Sequence, residues 1–299
     1  MSDRRLKVFY TVARLLSFTR AAEALHMTQP AVTFQVRQLE EYYNTRLFDR
    51  THNKVDLTPV GEKVLEFAAR IFDLYAEMDN AVCDITGEVS GAMAIGASTT
   101  IAEYLLPALL GEFKRQYPDV TIKLKVSNSD GIVSMVENNM IDLGIVEAPV
   151  GNKNLMVEAC HEDQLVLVAA PNHDLVKRGG RVCAQDIKSY PFVCREPGSG
   201  TREVIMQYLS DQGVTIDEMN FCLELGSPEA LKGAVEVGMG ISILSRSTIG
   251  KELKLNTLAE LALDPPLSRS FSFVRQRQKF RVRVAEELFQ FARAYCARK

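Results

Sequence analysis

The sequence of 299 residues has no uninterrupted run of about 18 apolar residues, which is the length that a membrane-spanning helix needs. Its first residues, Met1 to Arg5, lead into an amphipathic segment and not into the apolar core of a signal peptide. The sequence therefore carries neither signal of an exported or membrane-bound chain. We expect a cytoplasmic protein with no membrane partner.

Clustered metal ligands are also missing. The six cysteines are scattered without a C-x-x-C pair, and the four histidines do not group at metal-binding spacing. The cysteines are Cys83, Cys160, Cys183, Cys194, Cys222 and Cys296. Because this pattern suits a reducing compartment, we expect free thiols, mostly buried, and neither a zinc site nor another cofactor.

The sequence shows no arrangement that is typical of a catalytic site. Ser199 stands in Gly198-Ser199-Gly200, which lacks the two-residue spacing of a nucleophile elbow. The four histidines, at positions 26, 52, 161 and 173, form no constellation with acids or nucleophiles. We therefore do not expect an enzyme.

Length and composition indicate an ordinary globular chain of about two domains, since 46% of the residues are hydrophobic. The net charge is −3, but the charges are unevenly distributed. Residues 1–60 hold nine Lys or Arg against six Asp or Glu, and the remainder holds 26 against 32. The basic excess at the N-terminal end favours a nucleic-acid contact there.

The N-terminal region predicts three short helices, each with one apolar face. Apolar residues recur at helical spacing within residues 6–16, 18–25 and 31–39. Thr28 is the predicted N-cap of the third helix, and Pro30 lies in its first turn. Two packed helices followed by a third in this way are typical of a helix-turn-helix.

The outward face of the third helix carries side chains that can recognise DNA bases. Gln pairs with adenine, Thr touches a thymine methyl group, and Arg binds guanine or phosphate. The predicted DNA-binding residues of this helix are Thr28, Gln29, Pro30, Thr33, Phe34 and Arg37. The alternative is a plain three-helix bundle whose polar surface has no such role.

A hairpin with a basic tip is predicted directly after the third helix, because residues 47–50 and 55–58 flank a polar segment, 51–54. Such a hairpin is the wing of a winged helix-turn-helix. We expect Arg50 and Lys54 to meet the DNA backbone or the minor groove. The wing makes double-stranded DNA the preferred partner.

Residues 59–86 predict one long helix, because apolar residues recur every three or four positions and no proline follows Pro59. At about 1.5 Å per residue, the helix would be roughly 40 Å long. Its apolar stripe is too long for the small N-terminal domain to cover. Pairing with a second copy of the chain is therefore expected, with the acidic residues on a solvated face.

Beyond Gly91, predicted strands and helices alternate, which favours α/β units on a mostly parallel sheet. A first set comprises strands 93–96, 121–126 and 143–146 with helices 101–116 and 130–138. A second set comprises strands 165–169, 192–195, 221–225 and 241–244 with helices 201–212 and 228–237. Two such sets indicate two lobes.

A ligand site is predicted where helices begin after strands, because ligands of open α/β folds bind there and free N–H groups favour anions. The predicted effector-binding residues are Ser98, Thr99, Thr100, Asn128, Glu147, Arg195, Gly198, Ser199, Thr201, Arg202 and Ser227. The Glu147 carboxylate would repel an anion unless it orders hydrogen-bond donors or pairs with Arg195 or Arg202. The alternative is that the hydroxyls only cap helices.

The N-terminal region carries short motifs in a fixed order. They are Ala21-Ala22-Glu23-Ala24-Leu25, Thr28-Gln29-Pro30-Ala31-Val32-Thr33, Gln38-Leu39-Glu40, Leu47-Phe48-Asp49-Arg50 and Leu57-Thr58-Pro59-Val60-Gly61. Together they resemble the LysR-type transcriptional regulators. The chain departs from the pattern at Phe34, where many members carry Arg, although Phe can pack on a thymine methyl group.

The resemblance implies an α/β protein with a winged helix-turn-helix at 1–58, a dimerising linker helix at 59–87 and a two-lobed effector-binding sensor at 91–299. The sensor would be like the periplasmic binding proteins, with lobe I at 91–162 and 268–299 and lobe II at 163–267. The chain would return to lobe I through a strand at 271–274 and a helix at 280–297. The implied partners are double-stranded DNA, a small effector, further copies in a dimer or tetramer, and RNA polymerase as a candidate.

Three further motifs, at 147–149, 197–203 and 223–232, look most like the sulfite-responsive branch of that family, near the activators of Calvin-cycle and cysteine-biosynthesis genes. The resemblance thus implies a small oxyanion such as sulfite as the effector. A phosphorylated or carboxylated metabolite is the second candidate. A thiol-based redox switch is the third, since Cys194 and Cys222 fall in neighbouring predicted strands.

Overall fold

The computed structural model describes residues 3–51, 54–86, 89–277 and 283–298. The described residues form two compact units. The first lies within Met1–Val89, and the second comprises Ser90–Arg277 and Val284–Lys299. No helix within these described ranges combines the length and the apolar composition that crossing a membrane requires.

The first unit contains three helices, a hairpin and one long helix. Its elements are α1 (Arg4–Leu15), α2 (Phe18–Ala24), α3 (Gln29–Tyr43), β1 (Phe48–Thr51), β2 (Lys54–Leu57) and α4 (Pro59–Thr86). Asp3 and Ser17 begin α1 and α2 by accepting hydrogen bonds from backbone N–H groups of the first turns. The predicted helices and hairpin are confirmed, although His52 and Asn53 at the tip lie outside the described residues.

The core of this unit joins the helices to the hairpin. The Phe48 ring of β1 lies 5.3 Å from the Phe9 ring and 5.6 Å from the Phe18 ring, measured between centroids. The Glu40 carboxylate of α3 accepts hydrogen bonds from the backbone N–H groups of Leu47 and Phe48. These contacts fix the direction in which the hairpin leaves α3.

The long helix α4 keeps an apolar stripe exposed in the single chain. Thr58 accepts a hydrogen bond from the Gly61 N–H and so caps the first turn. The exposed apolar side chains, with exposed fractions from 38% to 87%, are Phe67, Ile71, Leu74, Met78, Val82 and Ile85. Their spacing of three and four residues places them on one side of the helix. The predicted single helix is confirmed, and Gly87 and Glu88 beyond it lie outside the described residues.

The second unit alternates strands and helices. It begins with β3 (Gly91–Ser98), α5 (Thr99–Tyr104), α6 (Leu106–Gln116), β4 (Val120–Ser127), α7 (Ser129–Glu137), β5 (Leu143–Val146) and β6 (Leu155–Ala169). It continues with α8 (Asp174–Arg178), β7 (Val182–Cys183), α9 (Ala184–Ile187), β8 (Phe192–Arg195), α10 (Gly200–Asp211), β9 (Phe221–Leu225), α11 (Pro228–Glu236), β10 (Ser242–Ser245), α12 (Gly250–Leu255), β11 (Ala259–Leu261) and β12 (Leu263–Asp264). It ends with β13 (Leu267–Gln276) and α13 (Arg283–Cys296).

One large sheet runs through the second unit in the strand order β10-β6-β13-β5-β3-β4, with β11 also paired to β6. Strands β3, β4 and β5 are parallel, but β6 and β13 are antiparallel to each other and to their other neighbours. The prediction of a mostly parallel sheet is therefore wrong for the centre of the sheet. The reason is that the chain crosses this region twice, in opposite directions.

The two crossing strands connect two lobes. We define the first lobe as β3–β5, α5–α7 and α13, and the second lobe as α8–α12 with β7–β12. Strands β6 and β13 pair from Leu155 opposite Gln276 to Leu165 opposite Leu267, with one shift of register between Phe271 and Ser272. The expected return strand is thus present, but it is longer than predicted because it pairs with β6 along its whole length.

Two predicted helices have different limits in the structure. The segment predicted as one helix, 101–116, forms α5 and α6, because Pro107 in the first turn of α6 cannot donate the hydrogen bond of a continuous helix. The closing helix predicted at 280–297 is described from Arg283, and residues 278–282 lie outside the described ranges.

Candidate functional site

The exposed face of α3 carries Thr28, Gln29, Pro30, Phe34 and Arg37, with Thr33 half-buried at its margin. Gln29 Nε2 donates a hydrogen bond to Thr33 Oγ1 at 3.3 Å, and Arg37 forms an exposed ion pair with Glu41 at 2.9 Å. The Phe34 side chain is 57% exposed. Polar groups and one aromatic ring therefore stand along the side of α3 that faces away from the core.

The structure bears only in part on the predictions for Thr28, Lys54 and Arg50. Thr28 occupies the N-cap position of α3, but among the described residues its hydroxyl makes no capping hydrogen bond. Lys54 is exposed on the hairpin and pairs across it with Thr51. The Arg50 side chain lies outside the described part of the chain.

A buried ion pair lies where the crossing strands of the second unit meet. Arg269 of β13 stands opposite Asp163 of β6, and its Nε donates to Asp163 Oδ2 at 2.9 Å. The second oxygen, Asp163 Oδ1, accepts a hydrogen bond from Ser245 Oγ at 2.6 Å. Both charged side chains are almost fully buried, at 2% and 3% exposure. A buried pair of this kind needs its remaining hydrogen-bonding groups to be satisfied.

The Arg269 guanidinium also reaches toward both lobes. Its Nη1 donates to Thr201 Oγ1 at 2.8 Å, at the start of α10 in the second lobe. The same nitrogen lies 3.8 Å from Glu147 Oε1, which follows β5 in the first lobe. Thr201 Oγ1 in turn donates to Glu147 Oε1 at 3.5 Å. One arginine of the crossing strand thus contacts both lobes. We call the region between the lobes around Arg269, Thr201 and Glu147 the cleft.

The Glu147 carboxyl is buried in this cleft, with 2% of its side chain exposed. Burial raises the pKa of Glu147, while the positive charges of Arg269 and Arg195 and the Thr100 hydroxyl lower it, and the net direction is upward. The environment therefore favours the neutral acid more than water does.

Several buried polar atoms around this cleft have no hydrogen-bond partner among the described residues. They are Ser98 Oγ, Ser129 Oγ, Ser199 Oγ, Glu147 Oε2 and Arg269 Nη2. Buried polar groups without partners are uncommon, because each costs free energy. Four of these atoms, the three hydroxyls and Arg269 Nη2, can donate a hydrogen bond.

The lobes touch on one side of the cleft. Asn128 Nδ2 of the first lobe donates to the Pro197 carbonyl of the second at 3.2 Å, and the Asp130 N–H donates to the Gly198 carbonyl at 3.2 Å. Gly198 has a φ of +79°, which favours glycine, and a Cβ at Gly200 would lie 2.7 Å from Ser129 Oγ. Glycine at these positions permits the close approach.

A second contact between the lobes involves α5 and α11. The Tyr104 hydroxyl of the first lobe donates a hydrogen bond to the Glu229 carboxylate of the second. Lys232, which is buried, pairs with Glu229 at 2.8 Å and with Glu252 at 2.7 Å, and lies 5.3 Å from the centre of the Tyr104 ring. The cleft is therefore bounded by contacts at two separate places.

Comparison with known proteins identifies this architecture. The profile of the LysR substrate binding domain matches residues 86–297, and that of the bacterial regulatory helix-turn-helix protein, lysR family, matches residues 4–62. The chain belongs to the LysR family of transcriptional regulators. It is a DNA-binding regulator with an effector-binding domain, and its relatives are regulators and not enzymes.

The similar proteins include regulators of carbon-fixation genes. A RuBisCO operon transcriptional regulator of Allochromatium vinosum is 35% identical over 280 residues, covering 93% of this chain and 91% of the relative. The regulator CbbR of Rhodospirillum rubrum is 36% identical over 292 residues, covering 97% and 95%. The regulatory domain of CcmR from Synechocystis PCC6803, in complex with 2-PG, is 30% identical with a TM-score of 0.64, covering 69% of this chain and 98% of that domain. The resemblance to the Calvin-cycle branch is thereby confirmed.

Several predicted effector residues of this LysR-type regulator have local partners or capping positions in the structure. Thr99 turns toward the Ser127 carbonyl at 3.5 Å, and Arg195 pairs with Glu196 at 2.8 Å. Ser227 is half-buried at the N-cap position of α11. Ser98, Thr100, Glu147, Ser199 and Thr201 are the predicted residues that are buried around the cleft floor.

Arg202 has two hydrogen-bond partners in the second lobe. Its Nη1 donates to the Arg195 carbonyl at 2.7 Å and to Glu224 at 2.6 Å. Its guanidinium is thus held against β9, and its role in effector binding stays a prediction. Arg269 is not among the residues predicted from the sequence, because residue 269 precedes the strand predicted at 271–274. Its signal in the sequence is a charged residue in a strand that carries the apolar Leu267, Phe271 and Phe273 at the neighbouring alternate positions.

The cysteines also differ from expectation. Of the five whose side chains are described, Cys194 and Cys296 are buried, Cys160 is half-buried, and Cys183 and Cys222 are exposed. Burial raises the pKa of the Cys194 thiol, and hydrogen bonding with Cys296, together with burial, raises that of Cys160. Raised pKa values disfavour the reactive thiolate. No group of three metal-ligating side chains lies close together within the described residues.

Replacing Asp163 tests the buried ion pair. The substitution Asp163→Asn removes the nearest counter-charge of the buried Arg269 guanidinium, so we expect a loss of about 3 to 5 kcal/mol in the free energy of unfolding. Chemical denaturation followed by circular dichroism measures this loss. The control is Asp174→Asn, whose exposed pair with Lys177 contributes less than about 1 kcal/mol. Equal losses for the two variants would contradict the structural role of the Arg269–Asp163 pair.

Proposed function

We propose that α3 reads base edges in the major groove of double-stranded DNA through Gln29, Thr33 and Arg37. The support is their position on the outward face of a helix whose opposite face packs into the core. The Gln29 amide fits adenine, and the Arg37 guanidinium fits guanine or phosphate. The Arg37–Glu41 pair is exposed and contributes little, so DNA can replace Glu41 as the partner at small cost.

The remaining residues of this surface would position the protein on the DNA. Phe34 would pack against a thymine methyl group, and Thr28 and Pro30 would fix how α3 enters the groove. Arg50 and Lys54 of the hairpin would contact the DNA backbone or the minor groove. Contacts of this kind orient a protein on DNA without selecting its sequence.

We propose that α4 pairs two copies of the chain. Its exposed stripe from Phe67 to Ile85 follows spacings of three and four residues, the pattern with which paired helices interlock. The proposed organisation is therefore a DNA-binding domain at 1–58, a dimerising helix at 59–87 and a sensor at 91–299, with lobe I at 91–162 and 268–299 and lobe II at 163–267. Pairing of the sensors as well would give a tetramer. Two-fold pairing implies an operator with two half-sites about one helical turn apart, or a multiple of it.

We infer that the cleft between the lobes binds a small oxyanion-bearing effector that modulates operator binding in the cytoplasm. The observation that carries this proposal is the set of unpartnered buried donors: the hydroxyls of Ser98, Ser129 and Ser199 and the Arg269 Nη2 group. An oxyanion would supply the acceptors that these groups lack. A ligand that touches both lobes also favours one angle between them over others.

Two effector classes fit this cleft. Sulfite is the candidate that the sequence motifs suggested, and a phosphorylated or carboxylated metabolite is the second. The similarity to the CcmR domain that binds 2-PG supports the metabolite, since 30% identity extends over that whole domain. An effector-dependent change in the paired DNA-binding domains would then alter the contact of the regulator with RNA polymerase.

Base recognition predicts unequal effects of two substitutions. Gln29→Ala should lower affinity for the operator by about 1 to 3 kcal/mol and leave random DNA almost unaffected, because it removes a base contact. Lys54→Ala should weaken both DNAs alike and flatten the dependence on salt, because it removes a phosphate contact. Mobility-shift titrations at several salt concentrations measure both effects. Equal losses on operator and random DNA for Gln29→Ala would disprove its assignment.

Pairing through α4 predicts a change of assembly. Replacing Ile71 and Leu74 with Asp puts charges into the apolar stripe, so the variant should be monomeric and lose operator binding. Light scattering combined with size-exclusion chromatography measures the mass. The control Glu77→Gln removes an exposed charge from the same helix and should leave the assembly unchanged. A wild-type chain that is monomeric would rule out the proposal.

The cleft proposal predicts that unpartnered hydroxyls matter for binding and not for stability. Calorimetric titration of the full-length chain uses sulfite, sulfate, phosphate and 2-PG. We expect at least one to bind, and Ser98→Ala and Ser199→Ala each to weaken it by about 1 kcal/mol or more, with little loss of stability.

The matched control for these variants is Ser242→Ala. The Ser242 hydroxyl is equally buried, but it donates to the Val193 carbonyl at 2.8 Å. Its removal should lower stability and leave effector affinity unchanged. Unchanged affinity in both Ser98→Ala and Ser199→Ala would place the effector elsewhere.

A further inference from the structure

The Glu147 carboxyl is the one acidic group among the unpartnered atoms of the cleft described above. It follows β5, its side chain is 2% exposed, and its Oε1 faces Thr201 and Arg269. Its Oε2 makes no hydrogen bond within the described residues. An ionised Oε2 can only accept a hydrogen bond, so it cannot contact a proton-free anion favourably.

The positive charges around Glu147 are too few to neutralise a bound anion as well as the carboxylates already present. Arg269 of β13 faces it directly but is paired with Asp163 of β6, and Arg195 of β8 is paired with Glu196. With all five groups ionised, three negative charges surround two positive ones. Thr100 of α5 and Thr201 of α10 complete the surroundings and carry no charge. A bound oxyanion would therefore be repelled unless one proton were added to the cluster.

Resting on the cleft site proposed above, we propose that an oxyanion binds together with one proton, which lies in a hydrogen bond between Glu147 Oε2 and a ligand oxygen. The proton has two sources. An oxyanion that already carries one, such as hydrogen phosphate, a phosphate monoester or bisulfite, donates its O–H to the Glu147 carboxylate. A proton-free anion such as sulfate binds only when Glu147 has taken a proton from solvent and itself donates the hydrogen bond.

This arrangement selects a class of ligand. Phosphate monoesters have a second pKa of about 6, so they exchange this proton near neutral pH. Sulfate carries no proton in that range. Inorganic hydrogen phosphate keeps a proton throughout this range, so the preference of the cleft for it over sulfate grows as the pH rises above the pKa of Glu147. A phosphate monoester that has lost its proton binds, like sulfate, only with uptake of one proton. Burial raises the pKa of Glu147, which agrees with a group that holds a proton in the complex.

The test compares sulfate with inorganic phosphate in calorimetric titrations of the full-length chain between pH 6 and pH 9. Non-phosphate buffers of different ionisation enthalpy report the number of protons taken up. Above the pKa of Glu147, sulfate affinity should fall about tenfold per pH unit with uptake of one proton. Phosphate at pH 8 should bind with almost no net proton uptake.

The variant Glu147→Gln keeps the shape of the side chain and donates an amide N–H that does not titrate. Sulfate affinity of this variant should be independent of pH, with no proton uptake. The control is Glu203→Gln on α10, whose carboxyl has a pKa raised by burial and by Asp130 but lies outside the cluster. Proton uptake should persist in this control.

Infrared difference spectra of the wild-type chain give a readout that does not depend on the folding of a variant. Addition of sulfate at pH 7 should leave a protonated-carboxyl stretching band in the bound state. Sulfate binding that is independent of pH in the wild type, or proton uptake that persists in Glu147→Gln, would overturn the proton-coupled site while leaving the anion cleft intact. Failure of every oxyanion to bind the wild-type chain would overturn both proposals.

Discussion

The buried pair of Arg269 and Asp163 is the interaction on which the sensor depends. Removing two charges from water is costly, and that cost is offset only when their remaining hydrogen-bonding groups are satisfied. Asp163 achieves this through Ser245 of the second lobe, and Arg269 achieves it in part through Thr201. Because the two residues face each other on β13 and β6, the pair also fixes the register of the strands that join the lobes. The strands that join the lobes and the floor of the cleft therefore both depend on the Arg269–Asp163 pair.

This sharing would couple the binding of the proposed effector to the angle between the lobes. The unsatisfied Nη2 of Arg269 belongs to a side chain that cannot shift without disturbing the crossing strands. The lobes also meet through Asn128 with Pro197 and through Tyr104 with Glu229, on separate elements. A ligand that engages donors of both lobes adds to these contacts, and it changes the equilibrium only by the difference in its affinity for the two arrangements.

The parts of the fold that local patterns determine could be predicted from the sequence. Helix α4 follows from its spacing, and the hairpin follows from its alternation and polar tip, because neighbouring residues set both. The role of Arg269 could not be predicted, since its partner Asp163 is 106 residues away and meets it only through the pairing of β6 with β13. The contact of Arg202 with Glu224 could not be predicted for the same reason, since the position of Glu224 depends on how β9 lies beside β8.

Under the proposed pairing, the small size of the α3 surface explains why the apolar stripe of α4 would matter for function. Single base contacts contribute about 1 to 3 kcal/mol each, so the few that α3 can make do not distinguish an operator from the excess of competing DNA. Pairing two copies makes the second half-site encounter intramolecular and raises its effective concentration. Operator affinity then depends on the spacing of the two recognition helices as well as on their contacts. In this proposal, an effector that changes the spacing would regulate DNA binding without altering any residue that touches a base.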